Sequence, residues 1–102
     1  MTLDELYKII IDRKKELPEN SYVASLFKSG SDRIIQKVGE EATEVVIAAK
    51  NDSKERLISE VADLMFHTLV LLAVKEISLE QICSELGQRH FTQIGGYNKI
   101  CE

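Results

Sequence analysis

Proline and cysteine are scarce in this chain, with one proline, Pro18, and two cysteines, Cys83 and Cys101. No segment is rich in glycine, proline or serine, and there is no repeat or low-complexity tract, so the 102 residues read as one domain without a linker. The cysteines do not form a Cys-x-x-Cys pair, which excludes a dithiol redox motif; they are expected to be free thiols without a catalytic role. There is no excess of positive charge. With a formal net charge of −4, neither nucleic acid nor a membrane is expected as a partner, and phosphate recognition must come from a local group of Lys and Arg or from a metal. The N-terminus has no basic stretch leading into an apolar core, so no signal peptide is read and a cytoplasmic location is expected. Residues 61–74 are apolar except for Asp63, His67 and Thr68, a run too short and too interrupted for a membrane span. No convincing strand alternation is found.

What remains is helix. The pattern predicts a first helix over residues 2–17, with Leu3, Leu6, Ile10 and Leu17 near one face and Pro18 as its stop. Residues 19–31 are the least regular, with Ser21 able to cap a short helical turn holding Tyr22, Val23, Leu26 and Phe27, before a loop at residues 28–31. A long second helix is expected from 31 or 32 to 50–51. Asp52 and Glu55 have capping-box spacing and open a third helix to about residue 75; Ser78 and Gln81 repeat the cue for a fourth, to about residue 89. The division is then a helical domain over residues 1–89 and a tail over 90–102 that contains Gly95-Gly96. The expected fold is all-α, a bundle of four to five helices. The third helix is apolar nearly all round and needs neighbours on several sides, so a homodimer is the expected way to cover it.

Chemistry concentrates in two groups of acids. Glu40, Glu41 and Glu44 lie on the second helix, Glu60 and Asp63 on the third. Carboxylates one turn apart point the same way, so the two groups could face each other and hold a hard cation. At about 100° per residue, Ile34, Val38, Ala42, Val45 and Ala49 form the centre of an apolar stripe. Glu41 falls inside its edge, between Ile34 and Ala48; Glu44 borders it with Lys37, and Glu40 is further round and solvated. On the third helix Glu60, Asp63 and His67 share a face that Leu71 and Val74 continue. A solvated face with ordinary ion pairs is the usual meaning of such acids. Asp63, however, sits in the middle of an apolar helix and is expected to be buried. An unpaired buried carboxylate costs several kcal/mol, and a shared metal relieves it.

Ligands that are all oxygen point to Mg²⁺, with Mn²⁺ as the other choice, rather than zinc. A di-iron bundle needs Glu-x-x-His motifs, and the residue three before His67 is Leu64. His67 is read as an orienting residue rather than a ligand. A metal held by carboxylates suits polyphosphate hydrolysis, with a free carboxylate (Glu40, Glu41 or Glu44) as the base on water. Lys28, Arg33, Lys37 and Lys50 are the cations in reach of the phosphates.

Glu40-Glu41-x-x-Glu44 followed by Glu60-x-x-Asp63 resembles the metal-binding pattern of the MazG-like all-α nucleoside triphosphate pyrophosphatases. Ser21-Tyr22, Leu26-Phe27, Gly30, Asp32-Arg33-Ile34, the block from Lys37 to Lys50, Glu60-x-Ala62-Asp63-Leu64-x-x-His67, Leu71-Leu72 and Ser78-Leu79-Glu80 resemble the phosphoribosyl-ATP pyrophosphohydrolase family within that group. The resemblance implies hydrolysis of phosphoribosyl-ATP to phosphoribosyl-AMP and pyrophosphate, the second step of histidine biosynthesis, with Mg²⁺. It implies Glu41, Glu44, Glu60 and Asp63 as metal ligands, Glu40 as a water-activating or second-metal residue, and a dimer. Val23 stands where many members carry threonine, and residues 90–102 have no counterpart in the pattern. Two other readings are a house-cleaning nucleoside triphosphate pyrophosphatase of the same superfamily and a non-catalytic helical dimerisation module.

Overall fold

The computed structural model of the chain describes residues 1–51 and 53–94. They form five helices: α1 (Leu3–Glu16), α2 (Tyr22–Ser29), α3 (Ser31–Asn51), α4 (Lys54–Val74) and α5 (Leu79–Ile94). No strand occurs among the described residues, and the fold is the all-α bundle the sequence predicts.

Side-chain caps set most of the helix starts. Thr2 and Glu5 close a capping box on α1, and Ser21 Oγ accepts from Ala24 N on α2 at 3.2 Å. Ser78 and Gln81 form the expected box on α5, with Ser78 N donating to Gln81 Oε1 at 2.8 Å and Gln81 N donating to Ser78 Oγ at 3.1 Å. Each such cap is worth about 1 kcal/mol. At α4 the expectation is off by one residue. The cap is Ser53, whose Oγ accepts from Arg56 N at 3.3 Å, and Asp52 lies outside the described residues. Segment 22–29 forms two full turns where only a short one was expected, because Ser21 caps it and Ala24 and Leu26 are buried. Gly30, at φ 95°, supplies the left-handed residue that separates α2 from α3. Helix α5 runs to Ile94, past the expected end near residue 89; Gly95 and Gly96 lie outside the described residues.

Helices α3 and α4 make the most extensive contact among the described residues, as an antiparallel hairpin whose arms end at Asn51 and begin at Lys54. Helices α1 and α2 close over one side of it. The core is Ile10, Leu26, Ile34, Leu69, Val70 and Ala73, and burying each large member stabilises the fold by about 1.5–3 kcal/mol. The face of α1 is narrower than expected: Ile10 is buried, whereas Leu3 and Leu17 are exposed and Leu17 ends the helix in the left-handed region at φ 47°. Two long-range bonds pin α1 to the end of α4. Lys14 Nζ donates to Ala73 O at 2.8 Å, satisfying a last-turn carbonyl, and Tyr7 Oη donates to Ile77 O at 2.5 Å. Burial pushes the Tyr7 phenol above its ordinary pKa.

Helix α4 is long and apolar enough by composition to cross a membrane, with mean hydropathy 1.8, yet only 28% of that stretch is buried. Ile58 and Met65 on α4 are exposed, as are Ile35, Val46 and Ile47 on α3. The free-thiol expectation fails at Cys83, which is disulfide-bonded; Cys101 lies outside the described residues.

Candidate metal centre and active site

The hairpin builds the site. Glu41 lies eleven residues before position 52 and Asp63 eleven after it, so the turn brings them to one level of the two arms. Glu60 is one turn from Asp63 on the same side. Ligand oxygens of Glu41, Glu60 and Asp63 all lie within 4.8 Å of one another. A Mg²⁺ with 2.0–2.1 Å bonds places opposite ligands about 4 Å apart, so the spread is close to what the ion requires.

Burial within this group differs from expectation. Asp63, predicted to be buried, is exposed, while Glu41 (8% exposed) and Glu60 (7%) are buried. The cause lies in which arc of α4 meets α3. Glu60 and His67, two turns apart, face inward, and Asp63 lies on the rim. Helix α3 shows the same rotation: its buried line is Ile34, Glu41 and Ala48, and Ala49, assigned to the stripe, is exposed. The acids that most need a cation are therefore Glu41 and Glu60 rather than Asp63. Glu41 Oε2 and Glu60 Oε2 are buried and have no hydrogen-bond partner among the described residues. Leaving a buried charged acceptor unsatisfied costs well over about 1 kcal/mol. The donor set, three carboxylates with two orphaned oxygens, fits a hard divalent cation.

The surroundings hold these acids in place. Glu60 Oε1 accepts from Arg56 Nε at 2.8 Å. His67 is buried where α2, α3 and α4 meet. Its Nδ1 is 2.9 Å from the Asp63 carbonyl oxygen and its Nε2 is 3.0 Å from Tyr22 Oη. In the neutral ring this arrangement makes Nδ1–H the donor to Asp63 O and Nε2 the acceptor from the tyrosine hydroxyl. Phe66 meets the ring edge-on at 5.1 Å. Glu41 Oε1 lies 3.8 Å from His67 Nδ1, beyond hydrogen-bond reach. His67 is thus tied to the backbone of one acid and lies beside another.

The remaining predicted residues are not part of this group. Glu44, one turn beyond Glu41, is exposed and outside the group of three. Glu40 is exposed and accepts from Gln36 Nε2 at 3.2 Å. Lys28, Arg33 and Lys50 are exposed and Lys37 half-buried; none forms an ion pair among the described residues, so their charges remain available to an anion. A Cβ added at Gly39 would meet nothing within 4 Å, so this helical glycine makes no close approach to another element among the described residues. Sequence reasoning did not include Arg56 in the site, although it stands four residues before Glu60 on the same helix face.

The family model described as phosphoribosyl-ATP pyrophosphohydrolase matches residues 3–90. The chain belongs to this family. It is 52% identical over 87 residues to the phosphoribosyl-ATP pyrophosphatase of Clostridium novyi (strain NT), covering 85% of this chain and 79% of that one. It is 55% identical over 86 residues to the enzyme of that name from Leptospira biflexa, covering 84% and 94% of the two chains. The Haloarcula marismortui protein of the same name is 47% identical over 89 residues, covering 85% and 91%. In this pyrophosphohydrolase chain the matched span takes in α1 to α4 and most of α5, and so every residue of the site.

Proposed function

We propose that the chain hydrolyses phosphoribosyl-ATP between its α and β phosphates, giving phosphoribosyl-AMP and pyrophosphate, the second step of histidine biosynthesis. The observation that carries this reading is the convergence of Glu41, Glu60 and Asp63 around two buried, unpartnered carboxylate oxygens in a member of that family. Glu41, Glu60 and Asp63 would hold Mg²⁺, or Mn²⁺ in its place. When bound, the cation neutralises phosphate charge and makes a bound water easier to deprotonate. Glu44, one turn from Glu41 on the exposed side, is either the further ligand or, with Glu40, a candidate for the carboxylate that is free of the cation and takes the proton of the attacking water. Lys28, Arg33, Lys37 and Lys50 bind the substrate phosphates, and the all-oxygen donor set supports Mg²⁺-dependence. Pyrophosphate release is to be measured with phosphoribosyl-ATP and a panel of nucleoside triphosphates, with and without Mg²⁺. Mg²⁺-dependent turnover of phosphoribosyl-ATP well above the panel is expected; equal or better turnover of a common nucleoside triphosphate would refute the substrate assignment.

The active form proposed is a cytoplasmic homodimer. Its support is the exposure of Ile58 (68%), Val46 (60%) and Ile47 (51%) on the two hairpin helices. A second copy laid against that face would cover what one chain leaves in water.

A further inference from the structure

The two oxygens of Glu60 are in different circumstances. Oε1 accepts the 2.8 Å hydrogen bond from Arg56 Nε, whereas Oε2 is buried and unpartnered. A terminal carboxylate has a broad, roughly two-fold torsion, so an unheld Glu60 could turn either edge, or neither, toward the cluster. Arg56 removes that freedom. Its backbone is held in the first turn of α4, where its N–H donates to the Ser53 cap at 3.3 Å. Its side chain is 57% exposed and makes no second hydrogen bond among the described residues. A half-exposed ion pair of this kind stabilises a fold little, so its main effect falls on Glu60.

We infer that Arg56 is a positioning residue of the metal centre: its Nε–H holds Oε1 of Glu60 so that Oε2 is presented to the cation together with Glu41 and Asp63. The inference rests on the metal reading proposed above. Arginine suits the task because its donors lie in a rigid plane, whereas a lysine ammonium is a mobile point charge. An opposite effect of Arg56 also has to be considered. A guanidinium beside the centre repels a divalent cation, so a residue acting only as counter-charge would leave the site binding metal more tightly once it was removed. The sign of the change separates the two roles.

The test is a Mn²⁺ titration of the full chain without substrate, followed by electron paramagnetic resonance, on the wild type, Arg56→Ala and Arg56→Lys, with melting curves on the same samples. Loss of a group orienting a ligand typically costs about 10–100-fold in metal affinity. Arg56→Ala is expected to weaken Mn²⁺ binding at least about tenfold, and Arg56→Lys to recover part of that loss. A merely structural residue would lower the melting temperature and leave the affinity of the folded protein unchanged. Wild type that binds Mn²⁺ together with an Arg56→Ala variant that binds it equally well or better overturns this inference alone. Wild type that takes up no Mn²⁺ overturns the metal reading, and the inference with it.

Discussion

Replacing Glu41 by Gln should make the metal-free protein more stable while removing its response to Mg²⁺. Three carboxylates offer oxygens within 4.8 Å of one another, and the two deepest, Glu41 and Glu60, each have an oxygen without a partner. Two unit charges 4.8 Å apart repel by about 3.5 kcal/mol at an effective dielectric constant of about 20. Arg56 offsets part of this repulsion at Glu60, and the exposure of Asp63 to water screens the group further. Glu41→Gln removes one charge, and its new amide N–H can donate to Glu60 Oε2. A gain of about 1–3 kcal/mol in the metal-free protein is expected. In a domain of this size each kcal/mol raises the melting temperature by about 4–8 °C. Wild type, in turn, should gain about 2.7 kcal/mol from Mg²⁺ at a hundred times its Kd, and the variant close to none. The assay is thermal unfolding by circular dichroism at fixed protein concentration, in EDTA and in excess MgCl₂, with pyrophosphate release measured alongside. If Glu41→Gln melts below wild type in EDTA and still gains as much from Mg²⁺, the buried pair does not form the cation site.

Two further outcomes are expected. Ile58→Lys places a charge on the exposed hairpin face and should convert a dimer to monomers in sedimentation velocity, without loss of helix; an unchanged sedimentation coefficient would exclude that face as the interface. Tyr7 bears on alkaline stability. Its pKa is raised in the folded state, so above the ordinary value of about 10 the unfolded chain loses the phenolic proton first, and stability falls as pH rises through that value and the higher folded one. Tyr7→Phe should flatten this fall and cost about 1 kcal/mol at neutral pH through the unpartnered Ile77 carbonyl; urea melts from pH 7 to 11 with identical slopes for the two proteins would refute the assignment.

Most of the fold was legible because its signals are local. The Ser21 cap, the Ser78–Gln81 box, Pro18 after α1 and the apolar run of α4 each declare themselves within a few residues. The candidate site was legible as a set of residue types and spacings. What the sequence could not show was rotation: a helix projection orders residues around an axis without stating which arc meets the neighbouring helix. Asp63 was therefore expected inside and lies on the rim, and Ala49 was given to a stripe that runs instead through Ile34, Glu41 and Ala48. Arg56 was overlooked for a related reason. At four residues from Glu60 it looks like any surface pair, and only the burial of its partner distinguishes it. The cap at Ser53 rather than Asp52 reflects two adjacent residues of equal capping ability. The bond at Cys83 had no sequence signal, since cysteine spacing alone does not specify pairing.

The contacts between α1 and the end of α4 also set a timetable for synthesis. The Tyr7–Ile77 and Lys14–Ala73 bonds join residues 70 and 59 positions apart, whereas α3 ends at Asn51 and its partner α4 begins at Lys54. On a ribosome adding about 5–20 residues per second, α1 waits on the order of 4–14 s for the carbonyls it will bind. During that interval Ile10, fully buried in the finished protein, is open to chaperones or to another nascent chain. Helix α1 thus completes its packing only after α4 has been made, and changes to it should affect yield from translation before they affect the activity of the folded protein.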